Sequence, residues 1–237
     1  MGSNIVVKKG LGIVLDFDTV AERLRVPEDM FDEFRVIFDE CAAVADPKFI
    51  YTHCPVSQDD HVTRVGVSTF TSHIMNVNFK DVKTAWPYIS TCGRELYSLA
   101  VSKDDPLERF WADQISEQYL YEANALTMDA VKEASGAQML YSMNPGSLAD
   151  FPISNQRPLF DLLGNVEALS GVWLTDTFLM MPYKSCSGIY FESEESFVNC
   201  ALCPRAECPS RRAPYDEMQL HSRYAMDSAC GSKTNPV

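Results

Sequence analysis

Residues 141–192 read YSMNPGSLADFPISNQRPLFDLLGNVEALSGVWLTDTFLMMPYKSCSGIYFE. Asn144-Pro145-Gly146 is a tight turn, because Pro145 holds φ near the value a turn's second residue needs and Gly146 tolerates positive φ. Such a turn leaves backbone N–H and C=O groups free to meet a ligand. Further on, Val172-Trp173-Leu174 and Ile189-Tyr190-Phe191 read as two strands. The crossing between them, from Met180 to Gly188, sets thioether surface beside small residues. Met180 and Met181 are polarisable and adaptable, while Ser185, Ser187 and Gly188 let a flat ligand approach the backbone. Asn144, Pro145, Gly146, Met180, Met181, Pro182, Ser185, Ser187 and Gly188 are therefore the candidate binding residues, in two halves of one site.

Working outward, Asp105-Pro106 opens a helix with proline at its first turn. Leu107, Trp111, Ile115, Tyr119, Ala123, Leu126 and Ala130 form one stripe along Leu107–Ala134, and Ser135-Gly136 ends it. At 1.5 Å per residue this helix is roughly 40 Å long and forms the spine of the fold. Its aromatic stripe reads as core. Gln138–Ser142 is a strand leading into the turn. Lys48–Thr52, Arg64–Thr69 and Ile74–Val77 read as antiparallel strands, and Gly12–Leu15 as a further short one. Asp16–Leu24 reads as a helix capped by Asp16 or Asp18, and Glu28–Ala45 as a helix with Met30, Phe34, Ile37, Cys41 and Val44 on one face. Asp81–Ile89 and Leu96–Ala100 carry a helix-then-strand pattern. The class these elements define is α+β, a twisted antiparallel sheet with long helices against it. The patterns leave the strand order open.

The chain has 237 residues, 46% hydrophobic and 22% charged, which suits a globular protein with an ample core. It contains no apolar run long enough to span a membrane and no signal-peptide pattern at its start, so a cytoplasmic protein without a membrane partner is expected. A formal net charge of −13 argues against nucleic-acid binding, which relies on basic patches. No Gly-rich phosphate loop, Gly-x-Ser-x-Gly elbow or His-Glu-x-x-His is present. His53-Cys54 reads as structural, since neighbours in a strand face opposite ways. His61 and His73 read as surface or cap residues.

Composition breaks near Asn199, which divides the chain into residues 1–195 and a Cys-rich tail, 196–237. Of the eight cysteines, Cys200, Cys203 and Cys208 are spaced closely enough to wrap one metal ion or one iron–sulfur cluster, with Pro204 and Pro209 stiffening the loop. A fourth ligand is required, and Cys186, Cys230 and His221 are available. Spacing alone leaves zinc and iron–sulfur open. It is not the Cys-x3-Cys-x2-Cys of radical S-adenosylmethionine enzymes. Arg205, Arg211 and Arg212 can offset thiolate charge or face an acidic partner.

Pro145-Gly146, Phe151-Pro152, Gln156, Leu159-Phe160 and Leu163, followed by Leu174-Thr175-Asp176-Thr177, Met180-Met181-Pro182, Lys184-Ser185 and Ser187-Gly188, resemble the activation (reactivation) domain of cobalamin-dependent methionine synthase. Ala45–Tyr51 and Pro106–Ala134 fall where that family has an extended piece and a long helix, so the resemblance covers nearly the whole chain. It implies a domain that binds S-adenosylmethionine and closes over a corrinoid (vitamin B12) so that an inactive Co(II) form is reduced and remethylated. The Asp-x-His-x-x-Gly segment that supplies the cobalt ligand in methionine synthase is absent, so the corrinoid is expected on another chain. The implied function is reductive reactivation of a cobalamin-dependent methyltransferase, with flavodoxin or ferredoxin as electron partner. The alternative is a non-catalytic corrinoid-binding module, a chaperone or sensor.

The resemblance also exposes a departure. The family's Arg-x-x-Pro-Gly-Tyr falls on Ser142, Pro145, Gly146 and Ser147. The Arg that would hold the methionine carboxylate and the Tyr are both missing, and a serine cannot replace a planar guanidinium fork. Cys186 stands where the family has an aliphatic residue, which makes it the preferred fourth ligand beside Cys200, Cys203 and Cys208. The low-potential electrons that the family reading needs favour an iron–sulfur cluster over zinc.

Overall fold

In the computed structural model, which describes residues 4–59, 62–208 and 211–225, the antiparallel sheet forms around one long strand, Thr84–Thr91. In chain order the strands are β1 (Val6–Lys8), β2 (Lys48–Tyr51), β3 (Cys54–Asp59), β4 (Val62–Val65), β5 (Ser68–Phe70), β6 (Thr84–Thr91), β7 (Leu140–Met143), β8 (Trp173–Leu174), β9 (Met180–Met181) and β10 (Ser185–Glu192). The helices are α1 (Phe17–Leu24), α2 (Phe31–Val44), α3 (His73–Asn78), α4 (Arg94–Ser102), α5 (Pro106–Ser135), α6 (Gln156–Leu162), α7 (Val166–Ser170) and α8 (Glu217–Tyr224). Strand β6 pairs along one edge with β10, and along the other with β2 and then β3. β7 extends the sheet beyond β10, while β8 and β9 form a separate hairpin. Every pairing among the described residues is antiparallel.

Alternation along the strands gives the sheet two apolar faces, because successive side chains point opposite ways. Ile50, Ala85, Ile89, Ile189 and Phe191 join one core with Cys54, Val65, Phe70 and the residues of α6. Phe49, Tyr51, Tyr88 and Tyr190 lie on the other, against Val131 and Leu140. The long helix α5 serves two cores. Its first half packs Trp111, Ile115 and Tyr119 against Phe34, Phe38 and Phe17 of the helical lobe, and Val131 near its end packs against the sheet. Its start is fixed by Asp105, whose carboxylate accepts the Leu107 and Glu108 N–H groups at 2.8 and 3.0 Å, and its end by Gly136 in the left-handed conformation. Asp16 caps α1, accepting from the Thr19 N–H at 2.8 Å.

Several local expectations differ from the structure. Ile74–Val77 is helical within α3, because Ser72 caps it and Ile74 and Met75 bury together. Thr84–Thr91 is strand where a helix was expected, and Arg94–Ser102 is helix where a strand was expected. Trp86-Pro87-Tyr88 cannot continue a helix through the proline, and Gly93 ahead of α4 lets the chain turn at φ 99°. Gly12–Leu15 is not strand; the edge strand is Val6–Lys8. On α5 the buried row runs through Ala123 to Thr127 and Val131, while Leu107 and Leu126 are partly exposed. Thr127 is tolerated there because its hydroxyl bonds Ala123 O at 2.6 Å and Ser90 Oγ at 2.8 Å. His53 and Cys54 lie at the β2–β3 junction, with Cys54 in the core and His53 exposed beside Trp86.

The apolar core runs across residue 195. Phe197, Leu202, Leu220 and Tyr224 are buried with Phe79, Ile189 and Phe191. Helix α8 is tied down by the Tyr224 hydroxyl, which donates to Asn78 Oδ1 at 2.8 Å, and by Arg223, which donates to the same oxygen at 2.9 Å and to Ser196 O at 2.8 Å. The imidazole of His73, the first residue of α3, meets Tyr224 O at 2.7 Å. His61 and Cys230 lie outside the described residues.

Removing the cap of α5 isolates its contribution. Asp105→Ala is expected to cost about 1 kcal/mol, and thermal unfolding should show a midpoint lower by roughly 2–4 °C.

Candidate functional site

Strand pairing brings the Asn144 turn beside only the Ser187-Gly188 end of the second half. β7 and β10 are in register with Met143 opposite Ile189, so the Asn144-Pro145-Gly146 turn leaves β7 beside Ser187 and Gly188. Asn144 donates to Ser187 O at 2.8 Å and to the Tyr88 hydroxyl at 3.0 Å. Gly188 makes this approach possible: a Cβ there would lie 2.6 Å from Asn144 Nδ2, 2.7 Å from Ser142 Oγ and 2.9 Å from Met143 O. The room that glycine leaves is filled by the chain's own side chains. Ser187 is buried and donates to Gln156 Oε1 at 2.8 Å.

The groups of the turn are also taken up internally. Gly146, at φ 86°, donates its N–H to Phe151 O at 2.8 Å, and the Ser147 N–H donates to Asn144 O at 3.1 Å. The Ser147 hydroxyl donates to Asn144 O at 2.6 Å, with Asn199 Oδ1 3.1 Å away. Asn199 completes the arrangement from the Cys-rich segment. Its amide donates to Ser142 O at 2.9 Å and to Asn144 Oδ1 at 3.1 Å. Sequence pattern places Asn199 only at the composition break and Tyr190 only in a strand, and gives neither of them, nor Tyr88, a role at this site. Tyr88 and Tyr190 stack with centroids 4.1 Å apart, and burial pushes both phenols up, so both are neutral at ordinary pH.

Met180, Met181 and Pro182 are placed elsewhere. They lie on the β8–β9 hairpin before the Ser185 end of β10, with Gly188 on the order of 10 Å further along the strand. Arg94 anchors the hairpin, donating to Gly171 O at 2.6 Å and Glu167 Oε1 at 2.8 Å and lying over the Trp173 ring. Ser185 closes the entry to β10 by donating to Pro182 O at 2.7 Å or to Thr91 Oγ1 at 2.9 Å. Lys184 pairs with Asp113 at 3.0 Å and Glu117 at 3.7 Å. Tyr183 donates its hydroxyl to Asp113. Leu179 and Tyr183 stay about half exposed beside the half-buried Met180 and Met181.

Cys200, Cys203 and Cys208 are half-buried free thiols, as is Cys186. Among the described residues no group of three or more His, Cys, Asp or Glu side chains could hold a metal ion. No step is assigned to a metal ion or a cluster. What organises the segment is Arg211, whose guanidinium donates to Cys200 O and Ala213 O, each at 3.2 Å, and to Arg205 O. The Arg212 N–H donates to Cys200 Sγ at 3.4 Å. Burial raises the Cys200 pKa, but N–H groups of Arg212 and Ala213 and the Arg212 charge outweigh it, so the net shift is downward. Cys186 lies 4.0 Å from Asn144 Nδ2, and burial pushes its thiol up.

The crystal structure of the MetH reactivation domain bound to AdoHcy matches with a TM-score of 0.58 and 15% identity, over 81% of this chain and 80% of that one. The fold is that of the MetH reactivation domain. No family model matches the sequence, and no curated protein does. Among the described residues no helix is long and apolar enough to cross a membrane.

Two measurements check the site. With Cys41 and Cys92 pushed up to about 12 by burial, alkylation of the native protein near pH 7.5 is expected to reach Cys200 first and Cys41 and Cys92 only after unfolding, as mass spectrometry of the labelled peptides would show. Gly188→Ala forces a methyl group toward Met143 O and should destabilise by about 1–3 kcal/mol, seen as a lower denaturant midpoint with an unchanged slope.

Proposed function

We propose that this chain is a reactivation partner for a cobalamin-dependent methyltransferase such as methionine synthase, acting on a corrinoid carried by another chain. The observation that carries the reading is the match to the MetH reactivation domain over four-fifths of both chains, together with the residues from Pro145 to Gly188 that resemble that family. The β8–β9 hairpin supplies the surface suited to the task. Thioethers at Met180 and Met181, flanked by Leu179 and Tyr183, form an adaptable apolar rim that follows the contour of a flat macrocycle. Arg94 and the Lys184–Asp113 pair hold that rim to the body of the fold, so little ordering entropy is lost when it docks.

The chemistry served is the one-electron reduction of Co(II) to Co(I). The electron comes from a separate donor of flavodoxin or ferredoxin type. In this reading the residues named here bind and orient; they exclude water from the ring face but do not exchange electrons themselves.

The test uses the full chain and a corrinoid protein in its Co(II) form. Direct binding together with faster Co(II) reduction by an added flavodoxin, followed by the corrinoid absorption bands, is the expected result. Binding with an unchanged rate would make the chain a chaperone or sensor, and absence of binding to any cobalamin-dependent methyltransferase would end the proposal. Replacing the exposed Leu179 by Asp should weaken binding about tenfold, or roughly 1.4 kcal/mol, while leaving the unfolding midpoint within about 2 °C.

A further inference from the structure

The resemblance places an adenosyl ligand at the Asn144-Pro145-Gly146 turn, and the MetH reactivation domain was solved with AdoHcy bound. The residues of this chain do not fit that ligand. A methionine-type carboxylate needs donors left open to it, and the residues positioned to offer them are already engaged. The Gly146 and Ser147 N–H groups are donated within the loop, at 2.8 and 3.1 Å. Asn144 spends its amide on Ser187 O and Tyr88, and Asn199 reaches across from the C-terminal segment to occupy Ser142 O and Asn144 Oδ1.

Asn199 is not on a loosely held flap. It is 6% exposed, and the residues on either side of it along the chain are anchored: Phe197 and Leu202 are buried in the main core, and Arg211 gathers the carbonyls that follow. Further along, Tyr224 and Arg223 bond Asn78. Displacing Asn199 would take the amide donor from the half-buried Ser142 O, leave Asn144 Oδ1 with only the Ser142 hydroxyl at 3.3 Å, and pull apolar side chains from the core.

We infer that the C-terminal segment around Phe197–Leu202, through Asn199, takes the place of the adenosyl ligand at this turn as a fixed part of the fold, so that the chain does not take S-adenosylmethionine or AdoHcy there. The inference rests on the functional reading above only for the location of the ligand. One consequence concerns the order of reactions: a methyl group returned to a corrinoid served by this protein must come from a donor bound outside this turn.

The experiment is a titration of the full-length, isotope-labelled protein with AdoHcy to millimolar concentration, followed by amide NMR. The backbone signals of Asn144, Gly146 and Ser147 and the side-chain amide of Asn199 are expected to stay in place. Saturable shifts of those signals would overturn the inference; if they disappeared in Arg212→Ala, the carboxylate contact would belong to Arg212. Saturable shifts confined to other residues would uphold it and mark a separate site. As a second readout, Asn199→Ala should lower the unfolding midpoint by roughly 2–6 °C, because Ser142 O and Asn144 Oδ1 lose the Asn199 amide and the latter keeps only the Ser142 hydroxyl. An unchanged midpoint would show that Asn199 does not hold the turn. Co(II) reduction is independent of both measurements, so an effect there can survive or fail separately.

Discussion

The pairing of β6 with β10 is the constraint on which the rest of the structure depends. It runs without interruption from Thr91 opposite Ser185 to Ala85 opposite Phe191, and each strand carries apolar side chains on both faces. A slip of one residue would exchange those faces, sending Tyr88 and Tyr190 into the space of Ile89 and Ile189. With the register held, the tyrosines stack under α5, while Ile189 and Phe191 close the opposite core. The other edge of β10 then carries β7 and sets the Asn144 turn against Ser187 and Gly188. The site is thus a consequence of sheet order rather than of the turn alone.

Polar satisfaction decides what that site can accept. Asn144, Asn199, Ser142, Ser147 and Tyr88 form a connected set of hydrogen bonds in a partly buried place, where leaving a group unpaired costs more than pairing it contributes. Such a set favours one arrangement and resists partial replacement. It also links the Cys-rich segment to the sheet, so residues on both sides of the composition break share hydrogen bonds as well as a core. The hairpin is governed by different physics. Its thioethers and half-exposed Leu179 and Tyr183 are held from beneath by Arg94 and remain available above.

Much of the architecture was legible because local signals agreed with the tertiary outcome. Asp16 and Asp105 cap the helices they precede, Gly136 ends α5, and the β-branched and aromatic residues of Lys48–Tyr51 and Ile189–Phe191 match strands of one antiparallel sheet. Where neighbours overruled local pattern, the reading failed. Thr84–Thr91 carries a proline and polar ends, yet it is the central strand because three partner strands supply its hydrogen bonds. Leu126 seemed to continue the core row of α5, but the helix turns that row toward Thr127, whose hydroxyl finds Ser90 across the sheet.

Short-range signals were enough for the α+β class, the long helix, the turn at Asn144 and the run of small residues ending at Gly188. All of these follow from short-range stereochemistry and from the period of apolar residues. Only the tertiary structure decided that Asn199, more than fifty residues along the chain from Asn144, supplies the amide that completes the turn. It also decided that Tyr88 lies beneath the turn and that, among the described residues, the cysteines sit in no group of three or more His, Cys, Asp or Glu side chains that could hold a metal ion. A side-chain hydrogen bond across such a separation leaves no periodicity in the sequence, and close spacing of thiols does not fix where a loop points them once Arg211 has claimed its carbonyl oxygens.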